Sequence, residues 1–252
     1  MSHFSRFASL RVRFWREAIS LCNLLFLVRY SLYNLVMLKF SALKIWTKYP
    51  YFWHWLVNIL LASVWGYYAY EGIMNLSTTA YFVLNIAMLA RNTGLTLVFL
   101  LRRPSRLTSQ RVKDWLVAIT GTVITYLYVT IGTKPIFPSL VPFAYVVMVT
   151  AAFLSAIAVV NLGRSFGIVP SNRGIKTKGF YVVVRHPIYL LYMLHDIGWN
   201  LNCFSARNCC VFVLYCLLTY SRAKCEERLL RQDPAYQEYA SKTRYMFFPG
   251  IF

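Results

Sequence analysis

Two adjacent carboxylates, Glu226 and Glu227, are the residues of this sequence that most suggest chemistry. The chain has only eight acidic residues, and no other two glutamates are neighbours. Arg222 precedes Glu226 by one helical turn, so these two side chains share a face, whereas Glu227 is rotated by about 100°. A carboxylate here can accept hydrogen bonds from the hydroxyl groups of a ligand or offset a cationic ligand. The alternative is a solvated helix with one ordinary Arg–Glu pair.

A second candidate site is the sequence Arg185-His186-Pro187. Proline suits the first turn of a helix, which places Arg185 and His186 at a helix N-terminus. The free amides of that terminus and the basic side chains beside it favour an anionic ligand. The alternative is that Arg185 only anchors the end of a membrane span at the interface.

Polar side chains continue along one face of the helix that follows this proline. At 100° per residue, Tyr189, Tyr192, Asp196 and Asn200 form one stripe. Inside a membrane, such a stripe indicates either the wall of a ligand cavity or a ladder of hydrogen bonds between helices. His195 is next to Asp196 but points about 100° away, so the spacing does not imply a His–Asp dyad.

The elements that must position these residues are membrane helices. The chain is 58% hydrophobic, 17% aromatic and only 14% charged, and its mean hydropathy is +0.49. Soluble chains carry about 25% charged residues, so the composition argues against a soluble enzyme and against a disordered protein. The net charge of +19 is compatible with nucleic-acid binding, but membrane proteins also collect Lys and Arg in their cytoplasmic loops. We expect membrane lipids, and not nucleic acid, as partners.

Six stretches are apolar enough to cross a membrane, which requires about 20 residues. They are roughly 52–73, 79–101, 114–133, 138–160, 187–204 and 206–223. Lys and Arg are concentrated in 1–50, 102–113, 161–186 and the tail from 222, which the positive-inside rule places in the cytoplasm. The sequence therefore predicts an all-α, polytopic membrane helix bundle of about six transmembrane helices. Both termini would be cytoplasmic, in a bacterial inner membrane or the endoplasmic reticulum.

The predicted organisation has three regions. Residues 1–50 are a basic region whose apolar stretch, 17–40, is interrupted by Arg29. We predict that this stretch lies in the membrane interface, and a seventh, re-entrant span is the alternative. Residues 51–160 supply transmembrane helices, and 161–252 contain a long polar loop and a polar tail where chemistry is expected. The six cysteines show no paired spacing, which predicts neither a disulfide framework nor a metal site.

Four motifs in the last third of the chain resemble those of the membrane family of isoprenylcysteine carboxyl methyltransferases and phospholipid N-methyltransferases. They are Gly163-Arg164, then Gly179-Phe180-Tyr181 before Arg185-His186-Pro187-x-Tyr189, then Glu226-Glu227-x-x-Leu230, and finally Tyr236-x-x-Tyr239 before Pro249. The resemblance covers residues 161–252, while the first 150 residues match only as hydrophobic spans. One departure is Leu191, where relatives often have glycine.

The resemblance implies methyl transfer from S-adenosylmethionine to a lipid or lipidated acceptor, a carboxylate or an amine, at the cytoplasmic face. It places the cofactor in a pocket covered by the loop and the tail. By family similarity, the cofactor-binding residues are Arg173, Gly174, Ile175, Lys176, Tyr181, His186, Pro187, Tyr189 and Glu226. Arg222 would reach the reacting group of the acceptor, and Arg222 and Glu227 are the catalytic candidates. Aromatic faces suit a cationic sulfonium, and positioning supplies much of the catalysis of an in-line displacement.

Two other functions are compatible with the sequence. Sterol reductases share a similar C-terminal core and use NADPH, and the ending from Arg244 to Phe252 fits them about as well. The Glu226-Glu227 pair favours the methyltransferase. A small transporter or lipid-binding scaffold is the non-enzymatic alternative, although transporters often have related halves or broken helices, which this sequence lacks.

Overall fold

A computed structural model describes residues 50–76 and 81–250 of the chain. These residues form seven α-helices, several single turns of 3₁₀ helix and one two-stranded pairing. The helices are α1 (Pro50–Met74), α2 (Phe82–Leu101), α3 (Val112–Val123), α4 (Val141–Leu162), α5 (Pro187–Asn202), α6 (Ala206–Leu230) and α7 (Pro234–Lys242). The predicted interfacial stretch 17–40 lies outside the described residues.

Two helical stretches of the described residues are long and apolar enough to cross a membrane. They are Phe82–Leu101, which is α2, and Pro138–Ser165, which contains α4. Large apolar side chains of α4, such as Phe143 and Val160, are exposed, as an all-α membrane protein requires. The predicted spans 79–101 and 138–160 agree with these helices, and the total of six spans stays a prediction.

The predicted span 114–133 is longer than the helix that forms. Helix α3 ends at Val123 and continues as a 3₁₀ turn to Leu127, after which the backbone is extended. The cause is Asn208, whose side chain takes both backbone groups of Val129. Val129 N–H donates to Asn208 Oδ1 at 2.9 Å, and Asn208 Nδ2 donates to Val129 O at 2.9 Å. The buried amide thus replaces the hydrogen bonds of a further helical turn.

Helix α4 packs most extensively against α2 and α5. Its closest approach to α5 is at Gly198, where an added Cβ would lie 2.8 Å from Ala144 O. A small residue at a helix interface allows such close contact, and it fixes which face of α5 meets α4. Asp196, two residues earlier on α5, is rotated about 200° from Gly198 and belongs to the side of α5 that faces Tyr128 and α6.

Three of the basic segments meet at one end of the helices. Strand β1 (Leu107–Thr108) pairs antiparallel with strand β2 (Ser171–Asn172), which joins the loop after α2 to the loop after α4. The tail joins the same end, since Arg185 N–H donates to Tyr245 O at 2.9 Å. At the opposite end, the segment at Lys134 bridges to Phe204. The arrangement agrees with the predicted distribution of charge, while the membrane side that each end faces stays a prediction.

Candidate functional site

The predicted helix start at Pro187 is confirmed, and the two residues before it are held by the tail. Arg185 N–H donates to Tyr245 O at 2.9 Å, and His186 N–H donates to Met246 O at 3.0 Å. Both bonds run from the residues before α5 to consecutive carbonyls of the tail. They fix the backbone of Arg185 and His186 at the N-terminus of α5.

Glu227 anchors this arrangement through Arg185. Arg185 Nε donates to Glu227 Oε1 at 2.6 Å, and Arg185 Nη1 donates to Thr243 O at 2.9 Å. Burial alone would raise the pKa of Glu227, but its interactions with His186 and Arg185 outweigh burial and lower the pKa to about 2. Glu227 is therefore ionised throughout the physiological range. That property suits the binding of a cation better than general acid–base catalysis, which needs a pKa near the working pH.

Four predicted site residues from α5 and α6 form one cluster beside this anchor. The rings of His186 and Tyr189 are stacked, with their centroids 5.5 Å apart and their planes 6° from parallel. The Tyr189 hydroxyl donates to Glu226 Oε1. The Arg222 guanidinium lies 5.0 Å from the centre of the Tyr189 ring, and Arg222 Nε lies 3.4 Å from Glu226 Oε1. The predicted common face of Arg222 and Glu226 is confirmed by this contact.

Arg222 also ties α6 to its neighbours. Its Nη2 donates to Ile168 O at 2.6 Å and to Gly167 O at 3.3 Å, and its Nη1 donates to Thr122 Oγ1 at 3.2 Å. The guanidinium therefore joins the loop after α4 and helix α3 to the cluster. Arg222 Nε is buried, and its contact with Glu226 Oε1 is longer than an ordinary hydrogen bond, so this N–H can also serve a ligand.

Arg173 and Gly174 lie in the loop that covers this end of the helices. The buried Arg173 side chain donates from Nε to Arg103 O at 3.0 Å and from Nη1 to Ser171 Oγ. Burial lowers the pKa of Arg173 to about 10. Gly174 has a φ of +103°, a conformation that favours glycine, and its N–H donates to Asn172 Oδ1 at 2.9 Å. The side chain of Arg173 thus braces the loop against the segment after α2.

Tyr181 and Ile175 join the loop to the tail. Both pack in an aromatic group with Tyr239, whose hydroxyl donates to Tyr181 O at 2.7 Å. Burial, and then the negative charge of Glu226, raise the pKa of Tyr181 well above its usual value, so Tyr181 stays neutral close to the cluster. Lys176 is exposed on the loop surface. Of the predicted cofactor-binding residues, Lys176 is the one that is most open to solvent.

Sequence reasoning missed two supports of the site. Asp114, in the first turn of α3, accepts two hydrogen bonds from Arg228 Nη2, at 2.6 and 2.8 Å, and this joins α3 to α6. An acidic residue in a first turn is a favourable helix signal, but it does not reveal a partner so distant in sequence. The second support is Phe247 in the tail, whose ring centroid lies 5.9 Å from that of His186.

The polar stripe along α5 divides into two parts. Tyr189 belongs to the cluster described above, whereas Asp196 accepts from the Tyr128 hydroxyl at 3.4 Å and Asn200 Nδ2 donates to Asp196 O at 2.8 Å. The spacing did not imply a contact between His195 and Asp196, but His195 Nδ1 lies 3.2 Å from Asp196 Oδ1. The angle of about 100° separates only the Cβ directions of two neighbouring residues. Rotation about χ1 can still bring the ends of their side chains into contact.

The site has buried polar atoms that lack hydrogen bonds. They are His186 Nε2, Arg222 Nε and the Tyr236 hydroxyl. His186 Nε2 lies 3.5 Å from Glu227 Oε1, too far for a good bond. Buried polar groups are normally paired, so unpaired ones gathered beside a carboxylate and aromatic rings fit a polar organic cofactor such as S-adenosylmethionine. Among residues 50–76 and 81–250, no group of three His, Cys, Asp or Glu side chains is arranged to hold a metal ion.

The comparison with known families agrees with the motifs. The family model described as the isoprenylcysteine carboxyl methyltransferase (ICMT) family matches residues 124–232. The matched segment begins at the 3₁₀ turn after α3 and ends just after α6, so it contains the cluster but not the tail segment 243–247. No curated protein matches the chain significantly. The match over residues 124–232 thus supports the resemblance to the isoprenylcysteine carboxyl methyltransferase family that the motifs indicate.

Proposed function

We propose that this protein is an integral membrane methyltransferase. It would transfer a methyl group from S-adenosylmethionine to a lipid or lipidated acceptor at the cytoplasmic face. The observation that carries the proposal is the buried cluster of His186, Tyr189, Arg222 and Glu226 within the segment that matches the family. Two polar atoms of this cluster make no ordinary hydrogen bond: His186 Nε2 lies 3.5 Å from Glu227 Oε1, and Arg222 Nε lies 3.4 Å from Glu226 Oε1.

The chain's own residues suit each part of the proposed cofactor. Glu226 accepts hydrogen bonds and can take them from the ribose hydroxyls, while the basic N-terminus of α5 at His186 suits the methionine carboxylate. The Tyr189 ring already lies beneath a guanidinium, 5.0 Å away, so this site tolerates positive charge beside Glu226. When bound, S-adenosylmethionine supplies an electrophilic methyl group. Tyr181, neutral and buried, closes the wall on the side of the tail.

The two catalytic candidates take different roles in this proposal. Arg222 offers its Nε–H to the acceptor and orients it, which suits a carboxylate because a carboxylate can be methylated without losing a proton. Glu227 positions Arg185 and, through the backbone, His186. We therefore regard Glu227 as a positioning residue. With these two roles, no residue has to remove a proton from the acceptor. Positioning of the reactants can supply most of the rate enhancement.

We further propose that both termini are cytoplasmic, in a bacterial inner membrane or the endoplasmic reticulum. The loop after α2, the loop after α4 and the tail are hydrogen-bonded to one another at one end of the helices. These segments carry most of the basic residues outside the N-terminal region. The positive-inside rule then places this end, and the cluster with it, in the cytoplasm.

The experiment is calorimetric binding of S-adenosylhomocysteine to the detergent-purified protein. We expect micromolar affinity, and a loss of at least tenfold in both Glu226→Ala and His186→Ala, because a hydrogen bond to a charged group contributes about 1.5–3 kcal/mol. The control is Glu238→Ala, since Glu238 is exposed on α7 and pairs with Lys242 at the surface. It should bind as the wild type does, and thermal unfolding of each variant checks that the protein measured is folded.

Three results would contradict the proposal. Wild-type affinity in both Glu226→Ala and His186→Ala would refute the site. A wild-type protein that binds NADPH, and not S-adenosylhomocysteine, would favour the reductase. Binding of neither would leave the transporter or scaffold as the better explanation.

A further inference from the structure

Asp196 is a buried carboxylate halfway along α5, away from the cluster at the helix N-terminus. Most buried acids of this protein face an arginine, as Glu227 faces Arg185 and Asp114 faces Arg228. Within residues 50–76 and 81–250, the side-chain partners of Asp196 are His195 and Tyr128, and no lysine or arginine lies within ion-pair distance of it. An ionisable side chain inside a membrane helix is costly and marks a functional site by default.

The group around Asp196 has more acceptors than donors. A carboxylate offers about four lone-pair sites, and two contacts, from His195 and Tyr128, are made here. Asn200, which is 8% exposed, leaves its Oδ1 buried and without a hydrogen bond. Its Nδ2 donates to a backbone carbonyl, which can only accept, so the orientation of the amide is fixed. Unsatisfied buried acceptors call for a donor from outside the protein.

The Asp196 group is continuous with the proposed cofactor site. Tyr128, whose hydroxyl donates to Asp196, packs in the same buried apolar cluster as Tyr189, and the Tyr189 ring lies 5.0 Å from the Arg222 guanidinium. Asp196 follows Tyr189 by seven residues on the same face, which is a distance of about 10 Å along the helix. A ligand that touches Arg222 at one end can therefore reach Asp196 with a group farther along its length.

We propose that Asp196 and Asn200 bind a hydrogen-bond-donating group, a hydroxyl or an ammonium, on the methyl acceptor. This inference rests on the proposed function and narrows its substrate class. The acceptor would be a lipophilic molecule with a donor about 10 Å from the atom that is methylated. A plain hydrocarbon chain would leave Asn200 Oδ1 without a donor and would make no use of the remaining lone pairs of Asp196.

The test uses three sixteen-carbon probes that differ only in their head group. Hexadecylamine and hexadecanol carry a donor, and hexadecyl methyl ether carries none. Dissociation constants come from the rise in unfolding temperature of the full-length, detergent-purified protein with probe concentration. We expect the amine to bind the wild type about tenfold more tightly than the ether, as a charge-assisted hydrogen bond predicts.

The variants are Asp196→Asn, which keeps the shape and removes the charge, and Asn200→Ala, which removes the unpaired acceptor. Both should bring the amine within about twofold of the ether. The control is Ser155→Ala, because Ser155 is equally buried but lies on α4 and bonds to Ala152 O. This control should keep the wild-type preference for the amine.

Equal binding of all three probes by the wild type would overturn the inference, as would an unchanged amine preference in both variants. Binding of S-adenosylhomocysteine, measured on the same samples, separates this failure from failure of the proposed function. The variants should bind it as the wild type does, since Asp196 and Asn200 are not among the proposed cofactor-binding residues. If the wild type prefers the amine but does not bind S-adenosylhomocysteine, the donor site stands and its assignment to a methyl acceptor is refuted.

Discussion

Replacing Glu227 by glutamine barely changes the shape of the side chain but should strongly destabilise the protein. Glutamine has nearly the size of glutamate but cannot neutralise Arg185, whose Nε lies 2.6 Å from the Glu227 carboxylate. Both side chains are buried, at 9% and 5% exposure. Removing one partner of a buried ion pair leaves the other charge uncompensated, and this is strongly destabilising.

The size of the effect follows from the pKa of Glu227. A folded-state pKa of about 2, against an ordinary value of 4.5, corresponds to about 3 kcal/mol of stability at neutral pH. Because the pKa is lowered in the folded state, this contribution is complete above pH 4.5 and is lost as the pH falls toward 2. For a chain of this size, it equals roughly 6–12 °C in unfolding temperature.

The assay is thermal unfolding in detergent at pH 7, 5, 4 and 3. Glu227→Gln should unfold well below the wild type at pH 7, and the gap should narrow below pH 4.5. Glu238→Gln is the matched control, because Glu238 makes an exposed pair with Lys242, and exposed pairs contribute little. The reasoning would be refuted if the two variants unfolded at the same temperature at pH 7, or if the Glu227→Gln gap did not change with pH.

Two further predictions concern the supports of the site. Gly179→Ala should cost about 1–3 kcal/mol, because Gly179 has a φ of +64° and an added Cβ would collide with Asn161 Nδ2; Gly163→Ala, at a φ of +50° with open space around it, should cost less. Equal losses in denaturant unfolding would show that the collision does not matter. Arg228→Ala should destabilise by about 2 kcal/mol because the buried Asp114 keeps its hydrogen bond from Ser109 but loses its counter-charge, and an unchanged unfolding midpoint would contradict this.

The residues of the cluster were predictable because their relations are local. Arg222 and Glu226 are one helical turn apart, and His186 precedes a proline that starts a helix, so simple geometry places each of them. The pairing of Arg185 with Glu227 was not predictable, because it depends on how α5 and α6 pack. Family similarity made Glu227 a catalytic candidate. Its contacts in the structure indicate instead that it holds Arg185 in place.

Helix ends were predicted less well than helix positions. Hydropathy extended the third span to residue 133, but Asn208 ends the helical hydrogen bonding near Val129. A hydropathy average over a window of residues does not detect one buried amide side chain that hydrogen-bonds to the backbone of another segment. The same limit applies to Asp196, whose stripe was visible while its contacts with Tyr128 and His195 were not.

The contacts of the tail segment 243–247 determine when, during synthesis, the site can become complete. This segment supplies carbonyls to Arg185 from Thr243, Arg244 and Tyr245, and one to His186 from Met246. A ribosome synthesises it after every helix that contributes a residue to the cluster. The helices must therefore settle while Arg185 still lacks these acceptors, and the site becomes complete only when the nascent tail folds back onto it.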